Sequence, residues 1–197
     1  MGEAMTPRVT GTGFPAGRNL RFLAMLCAMA ACGRAPLAVF AQMPTGKEVV
    51  APSVYVSADP VARQTPFALA VVLKIRPGFH INAREKSQEY LIATDLKEDL
   101  PPGFTAGPAT YPKGTLRTFP FSKDKPLNVY EGTAILRLPL TAGLDAPLGV
   151  QHIPLKVRYQ ACSDEVCLPP VTLTVDATVN VAASGAKSAH PEIFAPG

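Results

Sequence analysis

The chain alternates between apolar and more polar side chains along Ile153-Pro154-Leu155-Lys156-Val157-Arg158-Tyr159-Gln160-Ala161, and again along Val171-Thr172-Leu173-Thr174-Val175-Asp176-Ala177-Thr178-Val179-Asn180-Val181. A period of two residues is typical of strands with one buried face. The short polar loop between the two segments contains Cys162 and Cys167. The sequence therefore predicts an antiparallel hairpin with both cysteines at its tip, at one end of a rigid scaffold and outside the core.

The rest of the chain also has the pattern of short strands separated by turn residues. Strands are predicted at residues 54–56, 67–75, 104–106 and 133–140, and residues 89–96 fit either a strand or one helical turn. No segment has a sustained period of 3.6 residues, and 21 prolines are spread along the chain. This pattern predicts an all-β fold, an antiparallel β-sandwich.

Residues 1–41 are similar to an export signal peptide. Three arginines precede or begin a mostly apolar run at residues 20–31, which is too short to span a bilayer, and small residues then allow cleavage after Ala41. A second interpretation is open, in which cleavage precedes Cys32 and that cysteine becomes lipidated, as in a lipoprotein. Either route predicts an exported, periplasmic protein.

Removal of residues 1–41 leaves a single domain in the sequence-based interpretation. Residues 42–52 are an irregular lead-in, residues 53–182 the β-sandwich domain, and residues 183–197 a polar tail. The whole chain has 19 basic and 15 acidic residues, and 15 and 14 of these remain after cleavage. Such a neutral balance does not favour binding to nucleic acid or anionic membranes, and no later apolar run is long enough to span a membrane.

The cysteine pair has two interpretations that its spacing leaves open. Closing so short a loop stabilises a fold by only roughly 2 kcal/mol in the loop-closure model, whereas accessible paired sulfurs suit thiol–disulfide exchange. Disulfides in exported proteins are nevertheless usually structural. A metal site is not expected, because two cysteines supply half of a tetrahedral zinc ligand set and no second Cys or His pair stands at ligand spacing.

Two carboxylates lie between the cysteines, Asp164 and Glu165. Nearby negative charge disfavours a thiolate, and no helix N-terminus is evident that would lower a thiol pKa. The sequence therefore predicts a dithiol that reacts slowly until a partner protein docks on it.

The loop belongs to a longer motif, Tyr159-Gln160-Ala161-Cys162-Ser163-Asp164-Glu165-Val166-Cys167-Leu168-Pro169-Pro170. This motif resembles the active site of the N-terminal periplasmic domain of DsbD-type thiol:disulfide interchange proteins. Pro77-Gly78-Phe79-His80-Ile81-Asn82 is similar to that family's Gly-aromatic turn, and Leu127-Asn128-Val129-Tyr130-Glu131-Gly132 resembles its cap loop. The best-known member has one more residue between its cysteines and an aromatic residue where Val129 stands. The similarity covers residues 54–181.

The resemblance implies an immunoglobulin-like fold and a stand-alone electron-relay domain. It implies a membrane-embedded thiol reductase as electron donor, thioredoxin-like periplasmic proteins as acceptors, and no cofactor. Cys167 is then the residue that forms mixed disulfides and Cys162 the one that resolves them. Tyr130, with Val129 beside it, is the expected lid that shields the pair from non-specific oxidants.

Five more residues are candidates for lining the site: Phe79, His80, Asn82, Tyr159 and Gln160. The imidazole of His80 titrates in a range that suits proton transfer near neutral pH. Tyr159 fits the core, and Gln160 is placed to hydrogen-bond the cysteine loop. The alternative function is a secreted β-sandwich binding module with a structural disulfide, and the reduction potential discriminates the two, since structural bridges lie below about −300 mV.

Overall fold

The computed structural model describes residue 11, residues 43–122 and residues 124–195. The described residues from Met43 onward belong to one compact unit. The expected signal peptide, including Cys27 and Cys32, lies outside the described residues apart from Gly11. Among the described residues, no helix has both the length and the apolar character needed to cross a membrane.

Strands are the main regular structure of this unit, in keeping with its alternating sequence. In the described part of the chain the helices are α1 (Gly46–Val49), one turn of 3-10 helix (Pro120–Ser122) and α2 (Pro191–Phe194). The strands are β1 (Val50–Val56), β2 (Val61–Ala62), β3 (Pro66–Ile75), β4 (His80–Asn82), β5 (Asp95–Glu98), β6 (Phe104–Ala106), β7 (Thr115–Arg117), β8 (Leu127–Tyr130), β9 (Thr133–Ala142), β10 (Gly149–Tyr159), β11 (Ala161–Cys162) and β12 (Val171–Ala182).

These strands form three four-stranded sheets, in the orders β1-β3-β9-β6, β2-β12-β10-β5 and β11-β4-β8-β7. All pairings are antiparallel except the short parallel contact between β2 and β12. Apolar side chains from all three sheets meet in one core. The predicted all-β antiparallel β-sandwich is confirmed. We call β11-β4-β8-β7 the small sheet, because it carries the cysteine loop.

The hairpin predicted around the cysteines is present as β10 and β12. The two strands pair antiparallel over their length, from Gly149 opposite Val181 to Tyr159 opposite Val171. All five side chains on the apolar face of the first segment are buried, namely Ile153, Leu155, Val157, Tyr159 and Ala161. Period-two alternation therefore identified the buried face correctly.

The segment expected to be an irregular lead-in, residues 42–52, has regular structure instead. It contains α1 and the first residues of β1. The Glu48 carboxylate accepts hydrogen bonds from the backbone N–H and the hydroxyl of Thr45, at 2.7 and 2.9 Å. Val49 and Val50 are almost fully buried. Burial of these two valines fixes the segment on the core.

The tail expected at residues 183–197 also packs on the sandwich within its described part. Asp59 donates a backbone hydrogen bond to Lys187, and Ala189 donates one to Ser57. The His190 ring meets the Tyr55 ring edge-on, with 5.1 Å between centroids. Residues 89–96, for which strand and helical turn were both open, form a turn that leads into β5.

Candidate functional site

Cys162 and Cys167 form a disulfide with a sulfur–sulfur distance of 2.05 Å. The two residues lie directly opposite each other in an antiparallel bridge, and their Cα atoms are 3.9 Å apart. Backbone hydrogen bonds flank the bridge on both sides, from Leu168 to Ala161 at 2.8 Å and from Ser163 to Val166 at 2.9 Å. This pattern identifies a non-hydrogen-bonded pair, in which opposite side chains approach most closely.

The tip of the cysteine loop has a hydrogen-bonded turn of its own. The Ser163 hydroxyl oxygen accepts hydrogen bonds from the backbone N–H groups of Glu165 and Val166, both at 3.2 Å. Serine commonly stabilises turns in this way. Neither these contacts nor the two flanking backbone bonds use sulfur. The two thiols of the reduced form can therefore stay opposite each other.

The two cysteines differ sharply in exposure. Cys162 is fully buried, whereas Cys167 is exposed. Both were expected at a tip outside the core, and for Cys162 this expectation is wrong. The reason is that β11 leaves the β10–β12 hairpin and pairs with β4 in the small sheet, which covers Cys162. Only one of the two sulfur-bearing residues is thus open to a partner.

The register of the small sheet decides which side chains accompany Cys162. Cys162 lies opposite His80, whereas Ala161 lies opposite Ile81, which in turn lies opposite Tyr130. Opposite residues of an antiparallel pair project from the same face, and successive residues alternate. His80 therefore shares the face of Cys162. Tyr130 projects from the other face, which is turned toward the main core.

Tyr130, the expected lid, is held on that core-facing side by two hydrogen bonds. Its hydroxyl donates to the Pro112 carbonyl at 3.0 Å and accepts from the Arg84 backbone N–H at 3.1 Å. The ring is 4% exposed. Burial raises the pKa of the Tyr130 phenol. Tyr130 therefore lies on the opposite side of the small sheet from Cys162.

An aromatic residue that sequence reasoning missed, Phe119, lies on the cysteine side instead. Its ring stacks on the His80 imidazole with 4.0 Å between centroids and 15° between planes, and Phe121 stacks on Phe119 at 5.5 Å. Phe119 is 5% exposed and packs with Leu91, Leu127 and Val129 in a small apolar cluster. We call these four residues the cover cluster. Val129, expected beside the lid, is thus part of it.

Local structure holds Phe119 in this position. The backbone N–H of Phe119 donates to the Ser122 hydroxyl at 3.1 Å, and the Ser122 N–H donates to the Phe119 carbonyl at 2.8 Å. Pro120 begins the 3-10 turn between them. The sequence does contain one indication, the aromatic pair Phe119 and Phe121 on either side of a proline. Nothing local indicates that this turn folds back over the small sheet.

His80 is buried on the same face of the small sheet as Cys162. It is 1% exposed, and its Nε2 atom has no hydrogen-bond partner among the residues that the structure describes. The pKa of His80 is lowered from its ordinary 6.5 to about 4, chiefly by burial; the Asp164 carboxylate opposes this shift and the Arg117 guanidinium adds to it. The imidazole is therefore neutral at neutral pH.

Asn82 and Gln160 form a polar brace behind the cysteine loop. The Asn82 Nδ2 atom donates to the Ile92 carbonyl at 3.1 Å and to Gln160 Oε1 at 3.5 Å. Gln160 Nε2 donates to the Leu168 carbonyl at 3.3 Å, so the expected hydrogen bond to the loop is present. The brace ties the residue after Cys167 to β4.

The two aromatic candidates Phe79 and Tyr159 belong to the main core. Phe79 is partly buried and packs against it. The Tyr159 hydroxyl donates to the Gly46 carbonyl at 2.8 Å in a fully buried contact, and burial raises the Tyr159 pKa to about 12. A Cβ atom on Gly46 would lie 2.9 Å from Val171 and 3.2 Å from the Pro169 carbonyl. Tyr159 and Gly46 therefore anchor the exit of the cysteine loop.

A few charged groups lie at the surface near the site. The Arg117 guanidinium and the Glu131 carboxylate form an ion pair at 3.3 Å. Asp164 and Glu165 are exposed at the loop tip. In the part of the chain that the structure describes, no group of three or more His, Cys, Asp or Glu side chains is arranged to hold a metal ion.

Comparison with known families identifies a match over most of the compact unit. Residues 47–179 match the family described as thiol:disulfide interchange protein DsbD, N-terminal. This range includes both cysteines, the small sheet and the cover cluster. No curated protein matches the chain.

Solved structures with a similar arrangement include two bacterial N-terminal domains. The reduced N-terminal domain of DsbD from Neisseria meningitidis is 20% identical, with a TM-score of 0.45 over 74% of this chain and 94% of that one. The N-terminal periplasmic domain of ScsB from Proteus mirabilis is 11% identical, with a TM-score of 0.44 over 66% of this chain and 46% of that one.

Proposed function

The chain belongs to the family of the N-terminal domain of the thiol:disulfide interchange protein DsbD, and we propose that its Cys162–Cys167 pair relays electrons between two protein partners. The donor is a membrane-embedded thiol reductase, and the acceptors are thioredoxin-like proteins. The relay works in the periplasm, after export directed by residues 1–41. The single observation that carries the proposal is a disulfide whose supporting hydrogen bonds are independent of the sulfur–sulfur bond.

The weak mechanical role of the disulfide supports this proposal. A bridge between residues five apart stabilises a fold by roughly 2 kcal/mol in the loop-closure model, against a total of about 5–15 kcal/mol for a typical domain. The sandwich core meanwhile holds β10 and β12 together over eleven residue pairs. The bond can therefore open and close while the domain stays folded.

The unequal exposure of the cysteines supports different roles for them in the proposed relay. In the reduced protein the exposed Cys167 thiolate attacks a sulfur of the acceptor's disulfide, forms a mixed disulfide and releases one acceptor thiolate. The buried Cys162 then loses its proton and attacks the Cys167 sulfur. This second step forms the Cys162–Cys167 disulfide and releases the other acceptor thiolate, so two electrons pass to the acceptor. The donor reverses both steps with its own pair of thiols.

The cover cluster limits access to the buried half of the pair. Phe119 and its neighbours shield the face of the small sheet that carries Cys162, so small oxidants reach only Cys167. A docked partner, by contrast, needs only the exposed residue for its first step. The adjacent Val166 is 39% exposed and offers an apolar contact for such a partner. Shielding and docking are therefore separate functions of the two sides of the loop.

Equilibration of the purified protein in glutathione buffers tests the relay. We expect a reduction potential well above about −300 mV, the region of structural bridges, with the circular dichroism of the reduced form matching that of the oxidised form. A Cys162→Ser variant, which keeps the exposed thiol, should accumulate a mixed disulfide with a thioredoxin-like domain. The matched variant Cys167→Ser should not. A pair that stays oxidised in these buffers, or a fold that is lost on reduction, would support the structural alternative.

A further inference from the structure

One buried nitrogen of His80 is left without a hydrogen bond in the oxidised protein. Its Nε2 atom lacks a hydrogen-bond partner among the described residues, although the side chain is 1% exposed. Unpaired polar atoms are rare in protein interiors because they lose hydration without compensation. An orphan of this kind calls for a partner in another state of the site.

The sheet register places Cys162 where such a partner is needed. His80 and Cys162 are directly opposite residues of β4 and β11, and both project from the face covered by Phe119. Cβ atoms of such pairs lie about 5 Å apart, which is within reach of an imidazole ring. In the oxidised protein the Cys162 sulfur is bonded to Cys167 and carries no hydrogen. Reduction gives that sulfur a proton.

The ring of His80 packs against Phe119, and its protonation state at neutral pH suits a hydrogen-bond acceptor. The Phe119 ring stacks almost parallel on the imidazole of His80, and the Nε2 atom of His80 is shielded from water. Charged groups that act on it are Asp164 from the cysteine loop and Arg117 from β7, the latter paired with Glu131. Because burial outweighs the effect of Asp164, the imidazole is neutral at neutral pH. A neutral imidazole has one donor and one acceptor nitrogen.

We propose that His80 Nε2 accepts a hydrogen bond from the Cys162 thiol in the reduced protein, and thereby makes the disulfide easier to reduce. The inference rests on the proposed relay and adds a residue that tunes its potential. Reduction adds two electrons and two protons to the sulfur–sulfur bond. One proton forms the Cys162 thiol that faces Nε2, and the other forms the exposed Cys167 thiol. The orphan nitrogen is thus satisfied in only one redox state.

Redox titration of two variants at this position tests the inference. His80→Phe keeps an aromatic ring under Phe119 but removes the acceptor, and we expect its equilibrium constant for reduction to fall about tenfold. His80→Gln keeps an acceptor of similar reach and should stay within about threefold of the natural protein. His152→Phe is the matched control, because His152 is an exposed histidine on β10. Its constant should not change.

The possible outcomes separate this inference from the relay itself. If His80→Phe titrates like the natural protein, the inference is overturned while the relay stands. If the disulfide of the natural protein is not reduced in glutathione buffers, the proposed relay itself fails. Nitrogen NMR of His80 is a second test that uses only the natural protein, so its result does not depend on whether a variant folds. Its unprotonated-nitrogen signal should move on reduction, and an unchanged signal would overturn the inference.

Discussion

Acid should destabilise this protein through His80, by an amount that follows from its burial. The ordinary pKa of 6.5 applies in the unfolded chain, and the folded-state pKa is about 4. Above pH 6.5 the imidazole is neutral in both states, so the full stability is present. Between pH 6.5 and 4 the unfolded chain binds a proton that the folded protein excludes, and stability falls with each step in pH. Below pH 4 this contribution is lost and the curve flattens.

The expected loss is about 3 kcal/mol across this window, at 1.36 kcal/mol for each pKa unit. Such a loss is large beside a total stability of about 5–15 kcal/mol. The assay is urea unfolding of the oxidised protein at several pH values from about 7 to about 4. His80→Phe is the comparison, because it removes the titrating group and leaves an aromatic ring under Phe119. All other titrating groups are shared, so the difference between the two curves isolates His80.

The difference between the natural protein and His80→Phe should therefore change steeply below pH 6.5 and level off near pH 4. Parallel curves for the two proteins would refute the reasoning, because they would mean that His80 takes up its proton as readily in the folded state as in the unfolded chain. A difference that grew above pH 6.5 would refute it as well, since the sign would be reversed.

Three further predictions concern the cover, the anchor and the thiols. Phe119→Ala should lower the free energy of unfolding by about 3 kcal/mol. In the reduced protein it should also speed alkylation of Cys162 at least severalfold, while the alkylation rate of Cys167 stays the same. Equal acceleration at both cysteines would argue against a selective cover. Tyr159→Phe should lower the free energy of unfolding by about 1 kcal/mol, because the hydrogen bond to the Gly46 carbonyl is lost. The reduction potential of the disulfide should not change. A shifted potential would contradict the placement of Tyr159 in the main core. Alkylation of reduced Cys167 as a function of pH should give a thiol pKa above about 7, because the nearby carboxylates disfavour a thiolate, and a lower value would remove the need for activation by a partner.

The asymmetry of the two cysteines is the physical ground for the proposed relay. An exposed sulfur can meet a partner, but it is also open to non-specific oxidants. A buried sulfur is protected, but it cannot start an exchange. The exposed Cys167 and the buried Cys162 divide these demands between them. The backbone hydrogen bonds that hold them opposite each other do not involve sulfur.

The sequence by itself determined the long strands, the buried face of the cysteine hairpin and the family resemblance of the motif. Alternation along residues 153–161 identified five side chains that are all buried, and the spacing of the prolines and glycines excluded long helices. These predictions succeed because a period of two is a local property of extended backbone, set by the alternating direction of successive side chains. The family resemblance of the cysteine motif likewise depends only on neighbouring residues.

Only the tertiary structure decided which residues surround the cysteines. Tyr130 was the expected lid, yet the register of β8 turns it toward the core, and Phe119 covers His80 from a turn with no local indication of its destination. Cys162 is buried because β11 pairs with β4, some eighty residues earlier in the chain. Strand pairing between distant segments depends on the summed burial of the whole core, and a shift of one residue would exchange the two faces. That choice is absent from any short stretch of sequence.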